Sequence, residues 1–175
     1  MKRHVMLGAL ALGFAALAIG CEDDDPTGPA TETFQAALNG LKERPTPRTT
    51  PAVGTADFTL RNDTLRWTVA MTNLANITAG HIHIGGPEES REIILFLTGA
   101  AGSFTNSLIT GFTTRSTFPT PNPPHQAVTF DSLLVLMRTG GSYVNLHTNN
   151  GVAPTNEGPG DFPAGEIRGQ VNRVP

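Results

Sequence analysis

His81-Ile82-His83-Ile84-Gly85, Tyr143-Val144-Asn145-Leu146-His147-Thr148 and Gly165-Glu166-Ile167-Arg168-Gly169-Gln170 are the three strings that decide how this chain folds. In each, hydrogen-bonding or ionisable side chains alternate with Ile, Val, Leu or Gly. A β-strand sends successive side chains to opposite faces. The alternation therefore puts His81 and His83 on one face of a strand. It does the same for Tyr143, Asn145 and His147, and for Glu166, Arg168 and Gln170. The other face of each strand is small or apolar. Three such strands predict a single shared polar cluster.

Working outward, the rest of the chain also reads as β. Phe34-Gln35-Ala36-Ala37-Leu38 is a first strand ending at Asn39-Gly40, followed by a Pro- and Thr-rich loop, 45–51. Residues 54–60 and 65–71 alternate on either side of Arg61-Asn62-Asp63-Thr64, a hairpin signal. Glu92-Ile93-Ile94-Leu95-Phe96-Leu97 is a buried strand by its apolar content. Closing strands are expected at 142–148 and 165–172, separated by a Gly-, Pro- and Asn-rich loop, 149–164. Strands at this spacing indicate an all-β sandwich or barrel. Residues 99–127, rich in Gly, Thr and Pro, are expected to be a long surface loop around one or two irregular strands. One short helix is predicted near 129–139. Phe130, Leu133, Leu134 and Met137 recur at helical spacing, Thr129 can cap the start and Gly140 the end. The run Leu133 to Met137 would also suit a buried strand, but the spacing and the two marked ends favour the helix.

The N-terminus is organised differently. Lys2 and Arg3 precede an apolar run from Val5 to Ile19, which is a secretory signal too short to span a bilayer comfortably. Ala18-Ile19-Gly20-Cys21 resembles the lipobox of bacterial lipoproteins, with Ala18 where Leu usually stands. That resemblance implies cleavage after residue 20, a diacylglycerol on the sulfur of Cys21, and a lipid-anchored position in the bacterial cell envelope. Glu22 rather than Asp follows Cys21, which favours the outer membrane over the inner. Cys21 is the only cysteine, so no intramolecular disulfide can form. Residues 21–32, with Glu22, Asp23, Asp24, Asp25 and Glu32, read as an acidic flexible tether. Outside the leader and tether the charges balance at ten acidic and ten basic residues, so no basic face exists for nucleic acid to grip.

The three strings, together with Leu38-Asn39-Gly40 followed by Glu43 and Pro45, are similar to the CHRD domain, named from chordin. The resemblance runs from about Thr33 to Val171, inside a single domain assigned to 33–173. The turn Gly85-Gly86-Pro87-Glu88-Glu89 is a looser match, and the loop 99–127 carries no motif of the family. The resemblance implies an immunoglobulin-like or Greek-key β-sandwich. It implies no activity.

The polar cluster admits three readings. As scaffold, Tyr143, Asn145, Glu166, Arg168 and Gln170 form a satisfied network that fixes strand register, since a lone buried charge costs several kcal/mol. As a metal centre, His81, His83 and His147 present imidazoles suited to Cu, Zn or Fe, and Glu166 is a fourth ligand or orients an imidazole. As a recognition module, the loops 45–51, 99–127 and 149–164 face a protein or glycan while the cluster is scaffold. No catalytic constellation is recognised: Ser132 and Ser142 lack a nucleophile-elbow pattern, no Gly-rich phosphate loop precedes a helix, and Glu88 and Glu89 sit in a turn. The class needing only features already in the sequence is a membrane-anchored binding or structural module. A metal-binding protein is the alternative.

Overall fold

Alternation governs the strands of the computed structural model, which describes residues 30–98, 101–104, 107–119 and 128–175. The leader 1–20, Cys21, most of the tether and His125 lie outside the described residues. The chain runs β1 (Thr31–Asn39), a 3-10 turn (Gly40–Lys42), β2 (Val53–Arg61), β3 (Thr64–Thr72), β4 (Ile77–Ile84), β5 (Ile93–Phe96), β6 (Ala101–Phe104) and β7 (Leu108–Thr114). After α1 (Phe130–Thr139) come β8 (Ser142–Thr148), β9 (Ile167–Gln170) and β10 (Asn172–Val174). All ladders are antiparallel, in the order β5-β4-β8-β9-β1-β2-β3-β7-β6, with β10 on β1. The fold is all-β with one short helix, as expected.

The β2–β3 hairpin shows why these residues form strands. Ala56, Phe58 and Leu60 on β2 and Leu65, Trp67, Val69 and Met71 on β3 are buried, while their neighbours point to solvent. Asn62 opens the two-residue turn at φ 53°, a left-handed conformation that Asn tolerates. The sheet curls until its two halves meet. Trp67 on β3 donates its indole N–H to the carbonyl of Leu97, just beyond β5, at 3.3 Å. Gly80 on β4 lies against Leu146 and the side chain of Ile109 on β7. Ile82, Val144, Leu146 and Ile167, the apolar sides of the three strings, belong to the core enclosed by this curl.

The helix forms where its signals stand. Thr129 accepts a hydrogen bond from the Ser132 N–H, Gly140 ends the helix at φ 68°, and Phe130, Leu133, Leu134 and Met137 are the buried face. Two boundaries differ from expectation. β1 begins at Thr31, so Thr31 and Glu32 belong to the strand rather than the tether. They are held by pairing with Arg61 and Leu60, and the Glu32 carboxylate pairs with Arg138 on α1. The expected strand 165–172 is shorter and divided. β9 pairs with β8 and, through Arg168 opposite Asn39, with β1, whereas β10 pairs with β1; between them the Val171 N–H donates to the Ser142 carbonyl.

Candidate metal centre

Register brings residues of all three strings into rows across the sheet. His81 stands opposite Asn145 and His83 opposite Tyr143 on β8, and Ala79 stands opposite His147. On the other side of β8, Asn145 stands opposite Arg168 and Tyr143 opposite Gln170. These side chains share the sheet face opposite the core. That face is closed by loops rather than by a second sheet. Their backbone carbonyls, from Gly86, Arg91 and Pro163, accept hydrogen bonds from Arg168, His83 and His147.

The three histidines converge. Each offers one ring nitrogen, and these atoms all lie within 4.8 Å of one another. His83 Nδ1 lies 2.8 Å from the Arg91 carbonyl, and His147 Nδ1 lies 2.9 Å from the Pro163 carbonyl. A carbonyl only accepts, so both rings carry their proton on Nδ1 and keep a lone pair on Nε2. The lone pair of His147 Nε2 faces His81 Nδ1 at 3.1 Å. His83 Nε2 is buried and has no hydrogen-bond partner among the described residues. Burial pushes the His83 imidazolium down to about 4, against the pull of the Arg91 carbonyl and aided by His147 and Arg168. Burial lowers His147 as well, the Pro163 carbonyl opposing it. Both rings are therefore neutral near pH 7, as ligation requires. Carbonyls that fix a ring and its tautomer are also what outer partners of metal-bound histidine supply.

His83 is the first layer of a stack. Its ring lies nearly parallel to Tyr143 (7°) with centroids 4.9 Å apart, and the Arg168 guanidinium covers the other Tyr143 face at 3.4 Å. The Tyr143 hydroxyl accepts from the Arg91 N–H at 3.2 Å, so one residue's backbone steadies both His83 and Tyr143. Arg168 Nη2 donates to the Gly86 carbonyl at 2.8 Å, while Nη1 has no partner among the described residues. Its charge is not matched by a carboxylate within ion-pair distance among the described residues.

Glu43 closes the cluster from the loop after β1. It is 2 % exposed, and both its oxygens accept from Asn145 Nδ2 at 2.8 Å. Burial raises its carboxyl to about 8, the positive charges of Arg168 and Arg48 pulling only partly the other way. Gly165 is required beside this pair: at φ 129° its Cβ would meet Asn145 Nδ2, and would lie 2.8 Å from Glu43 Oε2. Gln170 Nε2 lies within reach of the carbonyls of Gly85, Gly140 and Ser142 and joins strand, turn and helix end.

Glu166, expected beside the histidines, is held elsewhere. Its Oε1 accepts from Thr50 and its Oε2 from Thr148, each at 2.6 Å, and the Gly160 N–H adds a third bond at 2.8 Å. Thr148 has the opposite parity to His147, so the carboxylate serves the loop anchor and not the metal group. The ladder begins at Ile167 and Gly165 is at positive φ, so Glu166 escapes the alternation that governs Arg168 and Gln170. Nor does Glu166 pair with Arg168. Sequence reasoning missed Arg91 and Pro163 as positioning residues, because a backbone carbonyl has no side-chain signature. Glu43 was visible only through the family resemblance.

The family model described as the CHRD domain matches residues 34–171 and so contains every residue of this centre. No curated protein matches the chain.

Proposed function

The chain belongs to the CHRD domain family, which points to a binding or structural module, and from that premise we propose that this one binds a transition-metal ion through His81, His83 and His147. The observation that carries the reading is the convergence of three imidazoles, two of them oriented through Nδ1 by backbone carbonyls. Cu, Zn and Fe all suit such a donor set. Purified in detergent, the full chain is expected to carry one metal ion per molecule by elemental analysis. His83→Ala is expected to lose it. A wild-type protein that retains no ion after exposure to copper and zinc salts refutes the reading.

Export and anchoring are the second part of the proposal. The apolar leader and the lipobox-like Ala18-Ile19-Gly20-Cys21 support a diacylglycerol on Cys21 and a place in the bacterial cell envelope, with the outer membrane favoured. The metal centre would then stand off the bilayer on the acidic residues 22–25, and the loops 45–51 and 149–164 would be free to meet a protein or glycan partner. Cys21→Ala should move the protein from the membrane fraction to the soluble fraction. Unchanged membrane association would exclude the anchor.

A further inference from the structure

We propose that the ion held by His81, His83 and His147 is singly charged copper. The proposal rests on the metal-binding reading above and adds to it the charge of the ion. The first observation is the donor set. It consists of imidazoles, and among the described residues no carboxylate or thiolate joins them. The internal segments outside the description, 99–100, 105–106 and 120–127, contain no Asp, Glu or Cys. A divalent ion here would keep both its charges in a site that buries His81, His83 and much of His147. The candidate anionic ligand, Glu166, is taken up by Thr50, Thr148 and Gly160.

The second observation is a fixed cation behind the site. Arg168 is 2 % exposed, its guanidinium carbon lies 3.4 Å from the Tyr143 ring centroid, and that ring lies 4.9 Å from the His83 ring. Glu43, the acid nearest in the network, spends both oxygens on Asn145 rather than on Arg168. The guanidinium therefore repels any cation bound to His83, and repels a doubly charged one twice as strongly. With an effective dielectric constant of about 20 and a separation of roughly 8–10 Å, each added unit of charge costs about 2 kcal/mol and weakens binding by roughly 20-fold. Copper is the imidazole-binding metal that offers a singly charged state, and neutral donors suit it.

The test uses the full chain in detergent, stripped of metal and kept anaerobic. Copper(I) and zinc(II) are titrated separately against chromogenic competitors, in wild type, Arg168→Gln and Arg168→Lys. One equivalent of copper(I) is expected, held at least about 100-fold tighter than zinc(II). Arg168→Gln should narrow that ratio by roughly 20-fold, and Arg168→Lys, which keeps the charge, should preserve it. Zinc(II) bound as tightly as copper(I) by the wild type would overturn the copper assignment while leaving the metal site standing. So would an unchanged ratio in a folded Arg168→Gln protein. If Arg168→Gln does not fold, the wild-type ratio and Arg168→Lys decide alone. Binding of neither ion would overturn the metal reading itself.

Discussion

Replacing Glu43 by Gln should make the protein more stable at alkaline pH and leave it nearly unchanged near pH 5. The carboxyl has an ordinary value of 4.5 and is raised to about 8 in the fold, with burial the main cause. A raised acid adds to stability below about 4.5, where both states carry the proton. That contribution is lost as pH climbs towards about 8, because the unfolded chain releases the proton first. The native state binds one more proton than the unfolded state throughout this window, so the slope approaches about −1.4 kcal/mol per pH unit. The shift of about 3.5 units integrates to on the order of 5 kcal/mol by pH 9. The amide of the Glu43→Gln protein does not titrate over this range and keeps an oxygen for Asn145 Nδ2. Asn145 Oδ1, without a partner among the described residues, can turn to accept from the new amide. Urea unfolding followed by the single tryptophan, Trp67, buried in the core, reads both proteins at pH 5, 7 and 9 with metal removed. Subtracting one from the other cancels groups common to both. A difference that stays constant from pH 5 to 9 would refute the reasoning, because it would mean that Glu43 is ionised in the fold and balanced by Arg168.

Glu166→Ala removes the acceptor for Thr50, Thr148 and the Gly160 N–H and should cost about 3–5 kcal/mol, read by urea unfolding; a loss below about 1 kcal/mol would show the anchor to be dispensable. Gly165→Ala places a Cβ against Asn145 and Glu43 at a positive φ and should cost about 2–4 kcal/mol, whereas a wild-type melting curve would contradict the contact. Adding copper(I) at about 100 times its dissociation constant should stabilise the wild type by about 2.7 kcal/mol and leave His83→Ala unmoved; equal stabilisation of both would place the ion elsewhere.

Local rules made much of the architecture legible. Strand alternation marked β2, β3, β4 and β8, because a period of two is written in consecutive residues. Thr129, the spacing of Phe130, Leu133, Leu134 and Met137, and Gly140 located the helix almost to the residue, since caps and faces are also short-range. The same alternation put His81, His83, His147, Tyr143, Asn145, Arg168 and Gln170 on one face. It failed at Glu166, one residue before its ladder begins, where nothing constrains the side chain to follow the strand. The alternation binds only residues inside the ladder, and Glu166 stands just outside it.

By itself the sequence determined which residues alternate, where the helix lies, and that His, Tyr, Asn and Arg side chains would be neighbours on a sheet. Only the tertiary structure decided what those neighbours can do. Register set His83 against Tyr143, and loop closure brought the carbonyls of Arg91 and Pro163 onto the imidazoles. It also carried Glu43 to Asn145, 102 residues away along the chain, and Glu166 to Thr50 across 116. Periodicity is a property of adjacent residues and survives in any fold. Convergence of lone pairs and the burial of a charge depend on how distant segments pack, and no local pattern records them.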